Sequence, residues 1–366
     1  RGGGRGAFAA RQDLRHGAAV TMNGETQAVR TWSPYQESLF AAVVHGAGNI
    51  VVAALAGSGK TVSIIEAMRR YREAHAGASV LLCAFNKRIE QELAARAPKG
   101  CTVKTLHALG YAAVRGAWGG TRVNARREGD LLFAAAKARG VWGVKGEFRT
   151  AILKIVAWCK NTLQDVSEDV AWQCGAAFTL NGDLRDALLL AQDVLDASRE
   201  RSSEISFDDM IWLPWILGLR AGNFDLMLVD ETQDLNAAQV ELALSACAPG
   251  GRIVAVGDRN QAIYGFRGAA EGAMEALTAR LSATVLPLSV CYRCPTSVIA
   301  AAKALVPEIE AAEGAAEGEV LRAPATVLDG TADGHVAPGD FVLSRTNAPL
   351  LPLCLASLRR GVPAVV

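Results

Sequence analysis

At 366 residues, with 51% hydrophobic and 20% charged residues, the chain has the composition of a globular protein with room for roughly two to three domains. No apolar run reaches the roughly 18 uncharged residues of a membrane helix; the richest, Ile211 to Leu219, is far shorter and contains Pro214. A formal net charge of +1 excludes a global field for polyanions, so any nucleic-acid binding has to rest on a local groove.

Residues 1 to 30 are rich in Gly, Ala and Arg without periodicity and read as a flexible leader. The opening Arg1-Gly-Gly-Gly-Arg-Gly6 is either a disordered segment or a loose RNA contact. From Trp32 onward, short apolar runs alternate with longer amphipathic segments. The expected strands are Ile50 to Leu55, Ser79 to Ala84, Cys101 to Thr105, Asp225 to Asp230, Arg252 to Val256 and Ala283 to Leu288. Continuous apolar strands separated by helices predict an α/β fold with a parallel sheet covered on both faces. Between about 112 and 205 the periodicity becomes helical, which reads as an insertion. The sheet pattern is expected to resume over Ile205 to Pro214, and a second, incomplete α/β unit follows about 285, with a helix at 298 to 317 and a strand at Asp340 to Ser344. Of eight cysteines, only Cys291 and Cys294 have ligand spacing; zinc wants a second such pair, so free thiols in a reducing cytoplasm are expected.

Three segments carry chemistry. Ala56-Gly-Ser-Gly-Lys-Thr61 follows a buried strand and opens an amphipathic helix, as a phosphate loop does. Gly57 and Gly59 supply the turn whose N–H groups face a polyanion, Lys60 a charge for the β- and γ-phosphates, and Thr61 a hydroxyl for Mg²⁺. The strict pattern wants glycine where Ala54 stands, which removes one point of flexibility only. Asp230-Glu-Thr-Gln-Asp234 follows another apolar strand, with Asp230 expected to ligate Mg²⁺ and Glu231 to act as general base for water. Gly257 to Gly268 places Gln261 at a strand end, where its amide can sense the γ-phosphate; Tyr264 and Phe266 beside it read either as core or as ligand contacts.

In this order the segments resemble the UvrD-like superfamily 1A DNA helicases. The likeness runs over about residues 32 to 366, through Ser33-Pro-Tyr-Gln36, Ala56 to Thr61, Ala84-Phe-Asn-Lys87, Thr105-Leu-His-Ala108, Asp230 to Asp234, Gly257 to Gly268, Cys291-Tyr-Arg-Cys-Pro295 and Asp340 to Asn347. Ala84 to Lys87 and Phe207 to Pro214 are most similar to the F-box-helicase-like branch, and family members also carry alanine at the place of Ala54. The resemblance implies RecA-like domain 1A over 31–111 and 206–285, a helical 1B insertion over 112–205, and a partial domain 2A over 286–366.

It further implies that ATP with Mg²⁺ is bound by Gln36 reading adenine, Tyr292 stacking on it, and Ala56, Gly57, Ser58, Gly59, Lys60 and Thr61 holding the phosphates. Arg293 is implied as an arginine finger joining Glu231, Lys60 and Gln261 in catalysis. Phe85, Asn86, Lys87, Thr105 and His107 are implied to line a single-strand groove together with Tyr264, Phe266 and Arg267; His107 also reads as a core histidine. Asp208 and Asp209 read as helix-start residues. The implied activity is ATP-driven 3′ to 5′ movement on single-stranded DNA or on duplex with a single-stranded tail, by a monomer in DNA repair or recombination, in the cytoplasm or, in a eukaryote, the nucleus. The family's motifs V and VI and its 2B insertion are expected beyond residue 366. The chain is therefore expected to be a fragment that binds ATP–Mg²⁺ and, weakly, single-stranded DNA without unwinding duplex; the alternative is a non-motor, nucleotide-dependent binding module or inactive remnant.

Overall fold

The structure, a computed structural model, describes residues 19–22, 25–28, 31–180, 183–262, 273–320 and 339–366. Contacts divide the chain into one unit of Arg1–Arg293 with Glu308–Glu313 and another of Cys294–Pro307 with Gly314–Val366.

The first unit holds a six-stranded sheet made of β3 (Ile50–Ala54), β4 (Val80–Ala84), β5 (Cys101–Thr105), β8 (Phe224–Val229), β9 (Cys247–Gly257) and β10 (Thr284–Leu288), after an antiparallel pair, β1 (Ala19–Met22) and β2 (Glu25–Ala28). The strand order is β10-β3-β9-β8-β4-β5 and every pairing is parallel. The six apolar runs expected as strands are all present in the sheet. The period-2 alternation of these runs explains why they are apolar throughout. Val52, Leu82, Leu228 and Val254 pack on one face beneath α1 (Pro34–His45) and α2 (Lys60–Ala74), against Phe40, Ile64 and Met68. Their neighbours Val51, Leu81, Met227 and Ile253 pack on the other face with Leu109, Leu242 and Leu277 of α4 (Leu106–Trp118), α10 (Ala237–Ala246) and α11 (Ala273–Leu281). Helix α3 (Lys87–Arg96) connects β4 to β5.

Between α4 and β8 lies a helical layer with a core of its own: α5 (Arg127–Arg139), α6 (Gly146–Thr162), α7 (Glu168–Gln173) and α8 (Leu184–Arg199), closed by the two-residue pair β6 (Arg122–Val123) and β7 (Glu204–Ile205). The run after Ile205, expected to resume the sheet, is instead helix α9 (Asp209–Ile216). Its apolar residues are continuous because it is buried on both sides. Met210, Trp212 and Leu213 belong to the core of the helical layer, whereas Ile211 belongs to the sheet core. A helix covered all round has lost the amphipathic signature that separates it from a buried strand. Pro214 within α9 lacks the N–H that would bond the Met210 carbonyl, and that oxygen stands 1.8 Å from where a Cβ on Gly110 of α4 would be, so only glycine lets the two helices approach.

Three further expectations are corrected. The leader region contains the β1–β2 pair; Asn23-Gly24, which joins them in sequence, is a hairpin signal overlooked in a Gly-rich stretch. The helix expected at 298–317 is confined to α12 (Thr296–Ala302), because Pro307 follows within a turn and a half, and Glu310–Ala311 form β12 parallel to β11 (Val290–Cys291). Asp340 to Ser344 is not a strand: the backbone there is irregular, Phe341 and Leu343 are exposed, and the segment leads into α13 (Leu350–Arg359). Among the described residues, no helix is long and apolar enough to cross a membrane.

A buried charge cluster ties the helical layer to the start of α9. The Lys160 ammonium lies 2.7 Å from Asp209 Oδ1 and 2.7 Å from Glu128 Oε1, with Lys160 and Asp209 side chains fully buried. Asp209 Oδ2 accepts the Ser206 N–H at 2.8 Å and Ser206 Oγ accepts the Asp209 N–H at 3.1 Å, so Asp209 both starts the helix and anchors the lysine. Burial opposes the Lys160 charge, but the Asp209 and Glu128 carboxylates hold it ionised above the ordinary lysine range. Neighbouring Asp208 is pushed up to about 6 by burial first and by the Glu128 charge second, with Lys160 pulling the other way. An unfolded aspartate titrates at about 3.9, so between that value and about 6 the native state binds more protons, and stability falls as pH rises through this window. Asp208→Asn is therefore expected to raise the melting temperature relative to the parent at pH 7.5 and to lose that advantage at pH 4; an equal difference at both pH values would contradict it.

Candidate nucleotide site

The site is built at the carboxyl ends of β3, β9 and β8, which are neighbours in the sheet. β3 ends at Ala54, fully buried and in register with Leu288 of β10, so its methyl group fills the core and no glycine is required there. The chain then turns through Gly57 and Gly59, both left-handed with φ of 73° and 78°, and enters α2 at Lys60. A Cβ on Gly57 would stand 2.6 Å from Cys291 Sγ and 2.9 Å from Arg293 Cβ, and the Gly57 carbonyl accepts the Tyr292 N–H at 2.9 Å. The Cys291-Tyr-Arg293 segment thus lies directly on the loop. Both glycines are needed, one for conformation and close approach and one for conformation.

The N-terminus of α2 has no side-chain cap, so its first N–H groups and dipole favour an anion. Ser58 is 2% exposed and its hydroxyl has no partner. A buried hydroxyl left unbonded costs about 1–3 kcal/mol, which a phosphate oxygen would recover.

Across the sheet, Lys60 Nζ meets Glu231 Oε2 at 3.1 Å, bringing together residues 171 apart in sequence. Glu231 has φ 53° and ψ 44°, a left-handed conformation that costs a non-glycine residue about 1–3 kcal/mol and concentrates at functional sites. Its N–H donates to Asp230 Oδ1 at 3.0 Å, and the Asp234 N–H donates to its carbonyl at 3.1 Å, which holds the turn. Asp230 is buried; burial first, and then the Glu231 charge, push its carboxyl up to about 6, with Lys60 opposing. A buried carboxylate beside a second acid suits a divalent cation, and with the Thr61 hydroxyl at the loop the donor set is oxygen-only, as Mg²⁺ requires.

Two residues that sequence reasoning missed connect this acid turn to the next strand. Gln233 Nε2 donates to Glu231 Oε2 at 2.8 Å, and Gln233 Oε1 accepts the Asp258 N–H at 3.0 Å. Asp258 Oδ2 in turn accepts from Gln261 Nε2 at 2.6 Å. Gly257 lacks room for a Cβ, which would meet Gln233 Oε1 at 2.6 Å and Thr232 Oγ1 at 2.7 Å. Gln261 is thus held at the end of β9, three hydrogen bonds from the Glu231 carboxylate. Gln36 and Tyr292 flank the other side of the loop, with the Tyr292 hydroxyl 3.2 Å from Gln36 Oε1.

The residues expected to line a single-strand groove form a second group at the carboxyl ends of β4 and β5. β4 and β5 are paired with Ala84 opposite Thr105, which sets Phe85, Asn86 and Lys87 beside Thr105 and His107. Asn86 caps α3 and Thr105 caps α4, and Glu90 links the two turns by accepting from Lys87 and from the Thr105 N–H. Asn86 and Lys87 are exposed, Phe85 and His107 half-buried, and Thr105 buried. Tyr264, Phe266 and Arg267 lie outside the described residues.

Residues 40–267 match the family model AAA_19, described as an AAA domain. The chain is similar to the ATP-dependent DNA helicase Rep of Salmonella typhimurium, 25% identical over 71% of this chain and 41% of that protein. It is also similar to F-box DNA helicase 1 of Gallus gallus, 27% identical over 61% of this chain and 23% of that protein, and to DNA helicase II of Escherichia coli, 35% identical over 26% and 14%. It spans less than half the length of each of these relatives. The chain therefore belongs to the AAA_19 family of AAA domains, as a member of the UvrD-like superfamily 1 helicases.

Proposed function

We propose that this chain supplies the nucleotide-hydrolysing core of an ATP-dependent DNA translocase or helicase that moves 3′ to 5′ on single-stranded DNA in repair or recombination. The observation that carries the reading is the meeting of Lys60 and Glu231 at 3.1 Å between a phosphate loop and a strand-end acid pair. The names of the relatives, DNA helicases throughout, support DNA as the polymer.

In this reading Lys60, with Gly57, Ser58, Gly59 and the start of α2, holds the β- and γ-phosphates. A triphosphate competes with Glu231 for Lys60, and the released carboxylate takes the proton of the attacking water. Gln261, steadied by Asp258, addresses the γ-phosphate, and Arg293, exposed beside Gly57, supplies positive charge as it transfers. Thr61 and Asp230 would hold Mg²⁺, which would supply positive charge to neutralise the phosphates. Phe85, Asn86, Lys87, Thr105 and His107 line the strand groove, where a stacked base is worth about 1–3 kcal/mol whatever its identity. The protein acts as a monomer in the cytoplasm or, in a eukaryote, the nucleus.

The test is steady-state ATP turnover by this chain, with and without oligo-dT. Hydrolysis should be Mg²⁺-dependent and accelerated by the DNA. ATP binding without any effect of DNA on turnover would instead favour a nucleotide-dependent binding module.

A further inference from the structure

The Gln36 amide offers two N–H groups and two lone pairs, and the fold commits most of this capacity in advance. The Ser33 backbone N–H, which can only donate, lies 3.0 Å from Gln36 Oε1 and so fixes which end is oxygen. At the other end Nε2 donates to Ser63 Oγ at 2.8 Å. The Ser63 hydroxyl gives its own proton to the Gly59 carbonyl at 3.0 Å, so it faces Gln36 only as an acceptor. The relay from the loop carbonyl through Ser63 thus demands an amide N–H where Ser33 demands an amide oxygen. Gln36 and Ser63 are both buried, which shields the relay from competing water.

One N–H of Gln36 remains unassigned, and its second lone pair is held only by the Tyr292 hydroxyl at 3.2 Å. Both groups stand over the loop: a Cβ on Gly59 would be 3.8 Å from Gln36 Nε2 and 3.9 Å from Tyr292 Cδ2. An amide in this orientation presents a donor and an acceptor side by side, the pattern that pairs with N7 and the N6 amino group of adenine. Guanine places a carbonyl where adenine has the amino group, so the oxygen of a fixed amide would face an acceptor. An amide free to turn could offer its NH₂ instead.

We propose that Ser63 is a positioning residue for base selection: by fixing the Gln36 amide from the phosphate-loop helix, it makes the site prefer adenine over guanine nucleotides. This rests on reading the loop as a nucleotide site with Gln36 at the base. Tyr292 serves as the placeholder that the adenine amino group displaces.

The experiment titrates the parent chain, Ser63→Ala, Ser63→Thr and Gln36→Ala with AMP-PNP and GMP-PNP in the presence of Mg²⁺, and compares the ratio of the two affinities within each protein. A ratio measured on one preparation is insensitive to any fraction that fails to fold. Ser63→Ala should reduce the preference for AMP-PNP by about 3- to 10-fold, the value of one hydrogen bond, while Ser63→Thr, which keeps the hydroxyl, should retain it. Gln36→Ala should lose the preference at least as far. A selective parent whose ratio is unchanged in Ser63→Ala overturns the role of Ser63 alone. A parent that binds neither analogue, or both equally, overturns the adenine reading and this inference with it.

Discussion

Replacing Glu231 with glutamine is expected to slow ATP turnover by about 10²–10⁴-fold, the usual contribution of a positioned general base, and to leave ATP binding intact or tighter. The two effects separate because Glu231 has two relationships in the site. In the proposed reading its carboxylate is the base for water, and it is also the partner of Lys60 at 3.1 Å. Glutamine keeps the shape and can still accept from Gln233, but it carries no charge to compete with a triphosphate for the lysine. Single-turnover hydrolysis measured beside an equilibrium ATP titration distinguishes these terms. Unchanged turnover would remove Glu231 from the chemistry, whereas lost binding would show that the acid is needed to build the loop. The left-handed backbone at Glu231 makes the substitution informative, since the Asp230 and Asp234 contacts that hold the turn come from backbone and neighbouring side chains, not from the Glu231 carboxylate.

What could be read before the fold was known follows from how local each signal is. The sheet strands are legible because Val80 to Ala84 or Leu226 to Val229 are apolar on both faces, and their alternating residues enter two different cores. The same rule misleads at Met210 to Leu213, where a helix is buried on both sides. The phosphate loop and the acid pair are legible as compact motifs, and the fold brings their two charged ends together. Gln233, Asp258, Ser63 and the Lys160–Asp209 pair are not legible in this way. A buried polar side chain is explained by partners distant in sequence, and nothing in its own neighbourhood distinguishes it from a solvated one. Asp209 illustrates the point: its place at a helix start is visible from Ser206-Phe-Asp-Asp209, but its ion pair depends on a lysine in another helix.

That lysine carries the other large expected effect. Lys160→Met should destabilise the chain by about 3–5 kcal/mol, because it leaves the Asp209 carboxylate buried without its cation. Arg127, whose Nε is 3.6 Å from Asp209 Oδ2, is a second positive charge beside the cluster, and it is itself bound to Ser202. The loss should appear as a lower urea midpoint with an unchanged slope. A second substitution distinguishes a lost attraction from a stranded charge. Lys160→Met combined with Asp209→Leu removes both ions, and should recover much of the stability lost in the single variant, since buried pairs replaced by apolar groups are often neutral. Strictly additive losses would mean that Asp209 is indispensable for starting α9 through Ser206, whatever faces it. Neither residue contacts the loop or the acid pair. The folded fraction of the single variant should therefore bind ATP as the parent does, which places the effect on how α9 holds the helical layer and the sheet core together rather than on the nucleotide site.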